Sequence, residues 1–133
     1  MRRSMVLTTV LAVLILMSQG TLSAGEKKLM HCFYFTPIAE ATDAEWEAFK
    51  KATDELPGKI PGLNTVWHGK LRRPYRNYNS SGEYRIREYG VCMEIDDEAA
   101  LGVYADHPAH TEWVGIYEKV RQRGTSTFDI LGE

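Results

Sequence analysis

Two histidines three residues apart, His107 and His110 in the stretch HPAHTEWVG, have the residue types and spacing most able to do chemistry. An imidazole, with an ordinary pKa near ~6.5, is a competent general base at neutral pH and a ready metal ligand. Pro108 fits the first turn of a helix, because its missing N–H is a group that a helix leaves unsatisfied there; His107 or Asp106 then reads as the cap. His110 reads differently. It precedes Trp113 by three residues and Tyr117 by seven, on the side of Ile116 and Val120, so its ring points inward with an apolar stripe. Such an imidazole is either a hydrogen-bonded core residue or part of a cavity lining, where desolvation keeps it neutral and able to take a proton.

Metal binding is the other chemistry of paired histidines. The proline and the helix start separate the two rings, and a useful site would need His31, His68 or Glu112 to converge on them. Nothing in the spacing demands this, so neither a metal nor a cofactor is expected. A cavity lined by apolar groups and a few polar ones is the more natural reading, with His31, His68, Tyr89 and Trp113 around a small apolar or aromatic ligand. Nucleophilic catalysis is not supported: Cys32 and Cys92 fall in the middle of strands and no serine lies in an elbow or beside a placed histidine.

The elements that must position these residues follow from periodicity. Residues 29–36 (LMHCFYFT) read as a strand. In TDAEWEAFKKATDEL, Thr42 and Glu45 form a capping-box signature, and Trp46, Phe49, Ala52 and Leu56 form one apolar stripe of a helix that stops at Pro57-Gly58. The turn LPGKIPG leads into a strand at 63–71, a polar, turn-rich segment spans 72–86, and a third strand occupies 87–95. A short helix capped by Asp96 or Asp97 runs through Tyr104, another from Pro108 to about Arg121, and a last strand covers 125–131. The order is β-α-β-β-α-β with the second helix broken in two, an α+β, ferredoxin-like arrangement with a four-stranded, antiparallel-type sheet.

Strand parity bears on assembly. Tyr89, Val91, Met93 and Ile95 alternate on one face and should meet the helices, whereas His31, Phe33 and Phe35 oppose Met30, Cys32 and Tyr34, leaving both faces of the first strand largely apolar. One layer of helices cannot bury both. A second copy packed sheet against sheet, closing a dimeric α/β barrel whose shared interior is the expected place of the small ligand, solves this. The alternative is a monomer whose second face is covered by the 72–86 segment.

The chain has 133 residues, 44% hydrophobic and 26% charged, which describes one domain. Its first 24 residues differ: Arg2 and Arg3, the run MVLTTVLAVLILM and then SQGTLSAG have the parts of a secretory signal peptide, predicting residues 25–133 as the mature domain, exported to a periplasm or the exterior and free of the membrane after cleavage. Its loss would move the formal charge from −2 to −4, a poor balance for binding nucleic acid, which requires phosphate neutralisation. Export would also permit a disulfide between Cys32 and Cys92, given close Cα atoms. The segment RRPYRNYNSSGEYR, rich in arginine and tyrosine, reads either as a solvated loop or as a cavity mouth attracting anionic or aromatic ligands.

LPGKIPGL (56–63), EIDDEAALGVYADHPAH (94–110) and the closing FDIL (128–131) together resemble the Dabb family, the stress-responsive α/β-barrel domains. The resemblance covers nearly all of the predicted mature chain. It implies a ferredoxin-like protomer in a dimeric α+β barrel, a homodimer. Some plant relatives are polyketide cyclases, and by that resemblance His110 would be the general base that removes a proton α to a carbonyl, with Tyr104 orienting it and polarising the substrate. Tyr89 stands where cyclase-like members carry another histidine.

Overall fold

A computed structural model describes residues 28–133; the expected signal peptide at 1–24 lies outside the described residues. The chain order is β1 (Leu29–Phe35), α1 (Asp43–Lys59), β2 (Leu63–Tyr78), β3 (Tyr84–Ile95), α2 (Glu98–Asp106), α3 (Pro108–Tyr117) and β4 (Ser126–Leu131). The four strands form one sheet in the order β2-β3-β1-β4, every neighbouring pair antiparallel. This is the expected ferredoxin-like topology.

Local chemistry fixes the helix starts. At α1, the Glu45 N–H donates to Thr42 Oγ1 (3.2 Å) while the Thr42 N–H donates to Glu45 Oε2 (2.8 Å), closing the capping box. Asp97 caps α2 by accepting from the Ala100 N–H (2.8 Å), and His107 caps α3 through Nδ1, which accepts from the Ala109 N–H (3.1 Å) with Pro108 in the first turn. His107 is therefore committed to architecture. Helix α1 runs past the expected stop, with Pro57 in its final turn, since a proline there removes only one late hydrogen bond and Ile60 N–H still reaches the Leu56 carbonyl (3.0 Å). Helix α3 ends at Tyr117, earlier than Arg121, because Arg121 is drawn into a bridge with Pro37 and Gln122 N–H donates to the Thr36 carbonyl (2.8 Å).

The segment 72–86 is not the expected loop. Strands β2 and β3 continue through it as a hairpin, resuming after an irregularity between Lys70 and Tyr75 with Tyr75 opposite Arg87 and Tyr78 opposite Tyr84. Polar residues here signal solvent on both sides of a projecting hairpin rather than loss of the strand. Pro74 lies within the irregularity, where its missing N–H costs no ladder bond, and the tip is tied by Asn79 Oδ1, which accepts from the N–H groups of Ser81 (3.1 Å) and Glu83 (2.8 Å).

The core lies between the helices and one face of the sheet. Tyr89, Val91, Met93 and Ile95 are buried there, as parity predicts, with Phe33, Phe35, Phe49, Leu56, Trp113 and Val120. The other face carries Met30, Tyr34, Trp67, Phe128 and Ile130; Trp67 is 83% exposed and Ile130 55%. At its centre Cys32 and Cys92 stand directly opposite each other on β1 and β3, Cα atoms 4.1 Å apart, joined as a disulfide. Gly90 makes room beside them, since a Cβ there would lie 2.8 Å from Tyr34 Cδ1 and 2.9 Å from Leu71 Cδ2. No helix among the described residues is long and apolar enough to cross a membrane.

Candidate functional site

The hydrophobic period of α3 turns His110, Trp113 and Tyr117 toward the sheet, and α2 delivers Tyr104 from the adjoining helix. With His31 and Phe33 of β1, these residues line a cavity of about 180 Å³ whose far wall holds Arg121 and Thr127. The His110 ring lies 4.3 Å, centroid to centroid, from Tyr104 and stacks at 5.8 Å on Trp113; His31 is 5.5 Å from Tyr104.

His110, His31, Tyr117 and Trp113 each have a hydrogen-bonding partner. His110 Nδ1 lies 3.1 Å from the Ala105 carbonyl, which can only accept, so Nδ1 carries the hydrogen and the neutral ring keeps its lone pair on Nε2. Burial pushes the His110 imidazole below its ordinary value; the Ala105 carbonyl opposes that shift and neighbouring His31 adds to it. Burial drives the Tyr104 phenol far upward, with Tyr117 contributing, and so keeps it a proton donor. Tyr117 is pushed up to about 12, again by burial, against the opposing pull of its hydrogen bond with Thr125 and of Arg121 and Arg87. His31 Nδ1 lies 2.6 Å from Asp129 Oδ1, the residue opposite it on β4. Trp113 is anchored from the other side, its Nε1–H donating to Thr53 Oγ1 (2.9 Å), which donates to the Phe49 carbonyl (2.7 Å).

His31, Tyr104, His110 and Trp113 therefore come together, but His68 and Tyr89 do not join them. Those two pair with each other beside α1, and Phe49 stands between the groups, with its ring 6.1 Å from His68 and 6.2 Å from Trp113. The expectation of one lining shared by all of these residues is corrected accordingly: Tyr89 follows the parity of β3 to the helix-covered face, but α1 captures it. The cavity also lies between helices and sheet of one protomer, not on the open sheet face where a barrel interior was expected, because His31 shares the parity of Phe33 and Phe35. Asp129, Arg121 and Thr127 were missed by sequence reasoning. For Asp129 the signal was the pairing of β1 with β4, which sets it opposite His31; Arg121, whose buried Nε has no hydrogen-bond partner among the described residues, gave no signal beyond standing at the expected end of α3.

The arrangement can hold a small, partly apolar molecule against aromatic walls, presenting a neutral imidazole and protonated phenols to it. No curated relative matches the chain. Solved structures share its fold. A Dabb family protein with a ferredoxin-like fold from Mesorhizobium loti matches with a TM-score of 0.61 at 19% identity, covering 80% of this chain and 98% of its own. A dimeric ferredoxin-like protein of unknown function from Jannaschia sp. matches with 0.59 at 25% identity (77% and 97%). The hydroxynitrile lyase of Passiflora edulis matches with 0.63 at 8% identity (81% and 95%). The family profile described as Dabb, Stress responsive A/B Barrel Domain, matches residues 29–130. Family profile, strand order and the HPAH corner agree, and the chain belongs to the Dabb family.

Proposed function

We propose that this chain is an exported homodimer that binds a small, partly apolar ligand in the His31–Tyr104–His110–Trp113 cavity of each protomer. The single observation that carries the binding reading is the convergence of two imidazoles and two buried phenols on one aromatic-walled space of about 180 Å³. Dimerisation is supported by the open sheet face, where Met30, Trp67, Phe128 and Ile130 together expose an apolar surface, and by the dimeric proteins that share the fold. Export is supported by the N-terminal pattern and by the paired cysteines, which an oxidising compartment would keep joined.

A second reading, proton abstraction by His110 with Tyr104 as donor, is favoured by one observation: the Ala105 carbonyl fixes the tautomer that leaves Nε2 free as a base beside a phenol that stays protonated. One variant series tests both readings. Sedimentation should give a dimer that Trp67→Asp converts to monomer, and acetophenone, used as a probe, should perturb the His110 and Trp113 NMR signals saturably in the wild type and bind at least about fivefold more weakly to His110→Ala. A wild-type monomer would overturn the assembly, and equal binding by His110→Ala the site. Proton abstraction requires deuterium exchange from the methyl group of acetophenone that His110→Ala abolishes.

A further inference from the structure

A second set of polar groups lies outside this cavity. Asp54 of α1, with its side chain 66% exposed, has Oδ1 3.0 Å from His68 Nε2, and His68 Nδ1 lies 2.9 Å from the hydroxyl of buried Tyr89. A buried phenol needs only one partner, yet here the partner is itself oriented by a carboxylate. The carboxylate can only accept, so His68 Nε2 carries its hydrogen, Nδ1 of the neutral ring is an acceptor, and the Tyr89 O–H donates to it. The Tyr89 oxygen is left with lone pairs and no hydrogen to offer.

Tyr89 lines a groove of about 780 Å³ between α1 and the β2–β3 hairpin. Trp46, its ring 5.0 Å from Tyr89, and Leu71 and Pro74 give it apolar walls. The charged lining is nearly balanced: Lys50 donates to Glu47 (2.9 Å), and Lys70 stands with Asp43 and Glu88. A ligand anion would gain no net attraction there. We propose that this groove is a second binding site, selective for a neutral aromatic molecule bearing a hydroxyl donor, whose hydrogen bonds to the Tyr89 oxygen held in acceptor polarity by Asp54 and His68.

Phenol, anisole and benzoate are matched probes: a neutral donor, a neutral ring that cannot donate, and an anion. In 15N–1H NMR titrations of the dimer, phenol should shift the amides of Trp46, Leu71 and Tyr89 saturably and bind about fivefold or more tightly than anisole, the worth of one net hydrogen bond, and more tightly than benzoate. Tyr89→Phe should erase the preference for phenol over anisole. Asp54→Asn, whose amide can donate to Nε2 and so reverse the imidazole tautomer and turn the Tyr89 O–H toward the groove, should erase it too, because the ether oxygen of anisole can then accept from Tyr89 and anisole binds more tightly. His110→Ala should change none of these values, which separates this site from the cavity above. Equal binding of phenol and anisole by the wild type, a preference that survives both variants, or phenol shifts centred on His110 and Trp113 would overturn the proposal.

Discussion

Thr53→Val tests how the cavity wall is held. Thr53 is fully buried on α1, and its hydroxyl is the acceptor for Trp113 Nε1–H at 2.9 Å, with Trp113 only 3% exposed. Valine has nearly the same shape, so no void forms; what changes is that a buried indole N–H loses its partner. Leaving such a donor unsatisfied costs ~1–3 kcal/mol, and the added methyl recovers part of that through apolar burial at about 25 cal/mol per Å². A net loss of about 1–2 kcal/mol is expected, which for a domain of this size lowers Tm by roughly 4 °C or more. Urea denaturation followed by tryptophan fluorescence should show a lower midpoint with an unchanged slope, and the acetophenone-induced shift of Trp113 should weaken because the ring forming the cavity wall is no longer pinned. Thr53→Ala should lose more, since it adds a void. A Thr53→Val midpoint equal to the wild type would refute the claim that this hydrogen bond seats Trp113.

Other perturbations have equally direct outcomes. Reduction of the Cys32–Cys92 disulfide opens a link between residues 60 apart in sequence, and the chain-entropy estimate of about 4 kcal/mol predicts a marked fall in Tm on adding reductant; an unchanged Tm would contradict a stabilising link. Gly90→Ala places a methyl less than 3 Å from Tyr34 and Leu71 carbon atoms, and calorimetry should register a loss of about 1–3 kcal/mol from overpacking. Because burial lowers the His110 pKa, the unfolded chain takes up that proton first as pH falls, so the contribution is intact above the unfolded value near ~6.5 and declines as pH drops through the lower folded value. The wild type should therefore lose more stability than His110→Gln between about pH 7 and pH 5, and parallel curves for the two would contradict the burial of this imidazole.

Periodicity was enough to place β1, α1, β3 and the HPAH corner, because each carries a strong local signal: alternation in REYGVCMEI, a capping box at Thr42 and Glu45, and a proline in a first helical turn. It failed in 72–86, where the polar content that suggests a loop equally suits a hairpin wetted on both sides, and Tyr78 against Tyr84 supplies a cross-strand contact that no single segment shows. His110 was legible as inward-facing for the same reason as Trp113, by helical spacing from the buried stripe. The partners that define its surroundings were not. Asp129 reaches His31 only through strand register, Ala105 reaches His110 through its backbone, which is blind to residue type, and Asp54 finds His68 only once α1 has been laid across β2. Such pairings are tertiary, and the chemistry of the site resides in them.

Native mass spectrometry of the protein, purified from its natural host without added ligand, tests the central claim most directly. The account predicts a dimer carrying a reproducible small mass per protomer, lost on denaturation and absent from His110→Ala purified in the same way. A monomer, or a dimer whose bound mass is the same in His110→Ala, would contradict it.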